Sequence, residues 1–222
     1  LGATPGAPTA DRVIFDGGEL STTATFSINS DRGFRFDAGG GTLSPDAGTT
    51  LTYDGIATGT GGLTMGGAGT LVLGGDNTFS GGTVIGMGTL QAETDTALGT
   101  GTVDLAGGTL SAGADRTFAN NLTLSAASTI SADAGVDFVF TSDTISTTGG
   151  TLTIDNTTDA GAAVSFGLSG SSFDFSRGID LSDGATELRL LNTSGTQTIS
   201  GTISGAGSVV RNGVGGVTVL EA

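Results

Sequence analysis

The sequence predicts an all-β protein wound as a parallel β-solenoid, on three observations. Short runs alternate apolar and polar residues along the chain, glycine-rich turn sequences separate them, and part of the pattern repeats. The runs include Phe26-Ser-Ile28, Leu51-Thr-Tyr53, Leu63-Thr-Met65, Leu71-Val-Leu73 and Val103-Asp-Leu105. They continue through Leu122-Thr-Leu124, Phe138-Val-Phe140, Leu152-Thr-Ile154, Phe173-Asp-Phe175, Ile179-Asp-Leu181, Leu188-Arg-Leu190 and Val217-Thr-Val219. In an extended chain, successive side chains point to opposite faces, so each run presents one apolar face.

Residues 1–10, with Pro5 and Pro8, read as irregular, and residues 1–12 are expected to be a linker or an N-terminal cap. The start, Leu1-Gly-Ala-Thr-Pro5, has no initiator Met, basic segment or apolar core of a signal peptide, which suggests a processed or excised terminus. Residues 13–222 are expected to form one solenoid domain of roughly 8–10 rungs, each of about 20–25 residues. A closed sandwich or barrel is the competing all-β solution. The solenoid is favoured because strands of only ~3–5 residues joined by tight glycine turns suit stacked coils. No proline follows Pro45, as a long uninterrupted ladder of inter-rung hydrogen bonds requires.

Repetition is the third sign. The stretch Tyr53 to Leu73 matches Ile199 to Val219 without a gap. Gly55, Gly59, Gly61, Gly67 and Gly69 meet Gly201, Gly205, Gly207, Gly213 and Gly215, while Leu63 and Leu71 meet Val209 and Val217.

Composition narrows the function. The chain has 222 residues, 42 of them glycine, and lacks histidine, cysteine and tryptophan. Ser-His-Asp, Cys-His and zinc-thiolate chemistry are thereby excluded. All basic residues are arginine, so a Walker-type Gly-x4-Gly-Lys-Ser/Thr loop is excluded too. A formal net charge of −15 repels nucleic acid and anionic membranes, and no apolar run is long enough to span a bilayer as a helix. Neither nucleic acid nor membrane insertion is expected.

Carboxylates remain as possible catalytic groups. Asp174 with Asp180 and Asp183, or Asp133 with Asp137, could in principle act as paired acids on a polysaccharide. The plainer expectation is that these are turn and outward strand residues that solvate the surface. No cofactor is expected. Gly74-Gly-Asp76 and Asp54-Gly55 are isolated fragments of a calcium-roll repeat, leaving at most weak Ca²⁺ bridging between acidic surfaces. Asn121, Asn156 and Asn192 stand in Asn-x-Ser/Thr sequons. The eleven phenylalanines read mostly as core stacks. Thr50-Leu-Thr52 and Thr151-Leu-Thr153 would form an ice-binding array only if such pairs recurred at one rung spacing, and the sequence shows no such period.

The segment Gly67-Ala-Gly-Thr-Leu-Val-Leu-Gly-Gly-Asp-Asn-Thr-Phe-Ser-Gly-Gly-Thr-Val-Ile-Gly-Met-Gly-Thr-Leu90 resembles the autotransporter-associated β-strand repeat. Ala97 to Leu110 is similar to that motif's continuation, so the repeat is placed at residues 67–110, with a truncated second copy at 205–222. The resemblance implies a right-handed parallel β-helix, the passenger of a bacterial type V secreted protein. It implies an extracellular or cell-surface location and a non-catalytic role as stalk or adhesin, with cell-surface or matrix glycans or proteins as partners. An alternative expectation is a filament subunit that stacks end to end. Val217, Val219 and Leu220 are the candidate stacking edge, because an open solenoid end carries unpaired strand groups. A polysaccharide-active enzyme is the minor alternative.

Overall fold

A computed structural model describes residues 6–7, 9–133, 135–141, 144–156, 164–168, 173–182, 184, 186–191, 194–211 and 215–220 and, of residues 9–12, 156, 164–168, 173 and 174, the backbone. It is all-β, with no helix among the described residues. Every strand pair with a defined register is parallel, the pairing a coil makes with the coil above it and not with its own neighbour in sequence. The chain divides into two compact units, residues 1–104 and 105–222.

In the first unit the chain visits three faces in turn. One face holds Thr9–Phe15, Arg32–Phe36 and Ala57–Gly59. The second holds Gly18–Thr22, Gly41–Pro45, Leu63–Met65 and Thr83–Ile85. Phe26–Ile28, Thr50–Tyr53, Thr70–Leu73 and Thr89–Ala92 make the third. Four coils result. The first strand begins at Thr9, inside the stretch expected to be linker or cap.

The register explains the sequence pattern. Leu20, Leu43, Met65 and Ile85 stack in one column, and Leu51, Leu71 and Leu90 in another, at steps of 19–23 residues. Leu43, Met65, Ile85, Leu51, Leu71 and Leu90 are completely buried, so each coil's apolar positions lie on those of the next. Aromatic residues fill part of this core. The Phe34 and Tyr53 rings stack with centroids 4.0 Å apart, and Phe15 and Phe79 meet the edges of Phe34 and Phe36 at 5.3 Å.

Tyr53 is buried together with its hydroxyl, which therefore needs partners. The oxygen accepts the Phe34 N–H at 2.9 Å and shares its proton between the carbonyls of Ile56 and Arg32, at 2.9 and 3.2 Å. Burial pushes its pKa far above that of an ordinary phenol.

The second unit repeats the architecture with five coils. Thr109–Ala112, Ser128–Ala132, Thr151–Asn156, Gly178–Leu181 and Ile203–Gly205 form one ladder. Arg116–Phe118, Asp137–Phe140, Val164–Leu168, Thr186–Leu190 and Ser208–Arg211 form a second. On the third face Leu122–Leu124 pairs with Ile145–Thr147, and Phe173–Phe175, Thr196–Ile199 and Val217–Leu220 pair in order. Its core columns run Leu110, Ile130, Ile154 and Leu181, each at most 1% exposed. Among the described residues the coils number four and five in the two units, which falls within the roughly 8–10 rungs that the sequence predicts.

Eight phenylalanines are buried, as expected, but Phe26 is 38% exposed. It opens the first strand of its face, so its inward side chain has a coil on one side only.

Candidate functional site

The best-defined local structure is the stretch from Leu63 to Ala92, in which each conspicuous residue of the sequence motif has a physical task. Gly67 and Gly69 turn the corner against the coil below. A Cβ on Gly67 would overlap Pro45, and the Gly69 N–H bonds the Pro45 carbonyl at 2.8 Å. Leu71 and Leu73 go inward, and a Cβ on Gly75 would then overlap the Gly55 carbonyl oxygen. Phe79 is completely buried, and the buried Thr83 hydroxyl donates to the Leu98 carbonyl at 2.9 Å.

Asn77 is the most constrained of these residues. Its face carries the strand Ala57–Gly59, but the corresponding residues of the next coil, 76–80, form no strand. The side chain, 1% exposed, supplies the missing ladder groups. Its Oδ1 accepts the Ala57 N–H at 2.7 Å and its Nδ2 donates to the Ala97 carbonyl at 2.7 Å. The partners lie 20 residues before it and 20 after, one coil on either side. A buried amide satisfied on both sides is stable there, and an apolar replacement would strand one N–H and one C=O.

Of the acids that could in principle act in pairs, Asp133, Asp137 and Asp180 are each engaged with other groups. Asp137 lies on its strand with its carboxylate 2.9 Å from the Arg189 guanidinium, while the Asp133 carbonyl accepts the Val136 N–H in a turn. Asp180 accepts a hydrogen bond from the Ser204 hydroxyl at 3.2 Å. The Asp174 side chain and all of Asp183 lie outside the described residues. Among the described residues no group of three or more acidic side chains converges as a metal site would require.

Several acids instead bond to the next coil. Asp16 accepts the Gly39 N–H at 2.8 Å, Asp76 the Thr96 hydroxyl at 2.7 Å, Asp115 the Asp137 N–H at 2.9 Å, and Asp155 the Ser182 hydroxyl at 2.8 Å. No local sequence pattern signals this stitching, since each pair is separated by a whole coil.

Threonines do form a column. Thr50, Thr70 and Thr89 are in register, as are Thr109, Thr129 and Thr153 in the second unit. The adjoining column of the first unit reads Ser27, Thr52, Val72 and Gln91, so within it the Thr-x-Thr pair occurs in one coil and makes no two-column array. These are cross-strand threonine pairs on a half-buried face.

A furrow of about 270 Å³ crosses a corner of the first unit over Gly17, Gly40, Gly62 and Gly82, flanked by Thr42, Thr64 and Val84. It has no titratable lining residue. Asn121 is exposed immediately before Leu122–Leu124, whereas the Asn156 side chain and Asn192 lie outside the described residues. Val217–Leu220 pairs on one side with Thr196–Ile199, leaving Val217 55% and Leu220 58% exposed and Val219 half-buried.

Comparison with known proteins agrees with this geometry. The family model described as Passenger-associated-transport-repeat matches residues 63–92. Over 106 residues, or 47% of this chain, the sequence is 37% identical to the Adhesin BmaC autotransporter of Brucella suis biovar 1 (strain 1330). The matched region is 3% of that protein's length. No solved structure matches.

Proposed function

Starting from a chain that carries an autotransporter passenger repeat at residues 63–92, we propose that it is a non-catalytic stalk segment of a bacterial surface or secreted adhesin. Its work is mechanical: to hold a binding region away from the cell and contribute side surface for contact with host glycans or proteins. The observation that carries this reading is the parallel stacking of coils in each unit, with the motif residues spent on corners and ladders. A structure of this kind distributes its stability along an axis.

The exposed strand Val217–Leu220 fits the same reading. Its outer edge offers the backbone groups with which a further coil of a solenoid could pair. Location outside the cell is part of the proposal, since the similar protein is an autotransporter adhesin.

Fusion of residues 9–220 between a secretion signal and an autotransporter barrel tests the reading in a bacterium with an outer membrane. The expected result is a protease-resistant segment on intact cells, with no polysaccharide-cleaving activity in the purified chain. Retention inside the cell while a control passenger is exported would overturn the stalk assignment. Glycan cleavage abolished by D180N would overturn the non-catalytic one.

A further inference from the structure

We propose that Asn77 is a two-sided register lock: one carboxamide fixes the coil before it through the Ala57 N–H and the coil after it through the Ala97 carbonyl, so that the three coils hold or open as one. This goes beyond the stalk reading and does not depend on it.

Parallel coils have a register problem. Their apolar positions repeat every two residues, so a slip of two along a strand keeps leucines inward and costs little in burial. A backbone ladder restrains such slips, but on this face the ladder loses its strand after Ala57–Gly59. The Thr78 N–H still reaches the Ala57 carbonyl at 2.8 Å, and the Thr100 N–H the Phe79 carbonyl at 2.9 Å. The carboxamide adds the two bonds that distinguish the correct alignment. It is buried, as are Ala57 and Ala97, at 2% and 0% exposure, so no water replaces a lost partner. Any slip on either side leaves a buried donor or acceptor unsatisfied.

The chemistry of the group supplies the test. Asn77 acts as acceptor to one coil and donor to the next. In N77D the carboxylate form keeps the acceptor but turns a second oxygen toward the Ala97 carbonyl, whereas the protonated form can accept from Ala57 and donate to Ala97 as the amide does. Burial without a cationic partner raises the folded pKa of that carboxyl above its unfolded value. The variant's stability relative to wild type is therefore present below the unfolded pKa and lost as pH rises through the folded one.

The experiment is native-state hydrogen exchange and thermal unfolding of the full 222-residue chain as wild type, N77A and N77D, at about pH 3.5 and about pH 7.5. At the higher pH we expect both variants to speed exchange at the Ala57 and Thr100 amides roughly tenfold to a hundredfold, on both sides of residue 77. At the lower pH N77D should recover most of the wild-type protection while N77A does not. The lock is overturned if N77D follows N77A at both pH values, or if lost protection is confined to one neighbouring coil. Should N77A fail to fold, the pH profile of N77D against wild type still decides the matter.

Discussion

Arg189 passes over the coil beside its own and closes on Asp137, 52 residues earlier in the chain, at 2.9 Å. The coil between presents Gly167 in register with Arg189. The same guanidinium also binds Glu187, and this hydrogen bond, with Asp137 acting alongside, raises its pKa further. Three coils of the second unit are thereby strapped on their outer face.

That strap is a surface device, and its worth should be modest. Asp137 is 41% exposed, so solvent screens the pair. R189M is expected to lower unfolding free energy by about 0.5–1 kcal/mol at low salt, and by clearly less in concentrated NaCl. Urea titrations at two salt concentrations check both the size and the screening.

Tyr53 should govern the alkaline limit of stability. It is the chain's one tyrosine, and there is no cysteine or lysine to titrate beside it. Its folded pKa lies above the unfolded value of about 10. Its contribution is thus whole below about pH 10 and is lost as pH rises toward the folded value, by up to about 1.4 kcal/mol per pH unit. Stability measured across that window should fall in wild type and stay flat in Y53F. At neutral pH Y53F should cost about 1 kcal/mol, because the Phe34 N–H loses the nearer of its two acceptors and keeps only the Ile56 carbonyl at 3.2 Å.

Two glycines should behave oppositely. Gly59 has φ +112°, and a Cβ there would overlap the Phe36 carbonyl oxygen. G59A combines backbone strain with a collision, and a loss of more than about 3 kcal/mol is expected. At Gly18 a Cβ would meet no atom within 4 Å, and φ is not positive. G18A should be neutral or gain up to about 1 kcal/mol through the unfolded state. Paired thermal melts test the contrast.

Divalent cations should act as charge screens here. With a net charge of −15 the folded chain repels itself, and any salt relieves this. Ca²⁺ and Mg²⁺ at matched ionic strength are expected to raise Tm equally. A calcium-specific rise would reveal a bound ion.

The strands were readable because alternation is a local property: Leu63-Thr-Met65 and Leu71-Val-Leu73 show their apolar faces within three residues. Stacking was less readable because register depends on the length of each coil. Leu71 and Leu90 are 19 residues apart and Leu152 and Ile179 are 27, yet both pairs are in register. No fixed period therefore revealed the column Thr50, Thr70 and Thr89. Asn77 looked like one polar residue in a motif, since its inward direction follows from the interrupted strand on its face. The acids were expected to solvate the surface, and those such as Asp16 and Asp76 also tie coil to coil, through partners a full turn away.

The spread in coil length has an evolutionary meaning. Eight additional residues between Leu152 and Ile179, compared with Leu71 and Leu90, leave the parallel pairing intact. Insertions there cost little, because closing a longer loop grows only slowly more expensive. Selection can lengthen, shorten or redecorate a bend while the stacked interior stays the same, which lets lineages vary the outer surface without rebuilding what holds it up.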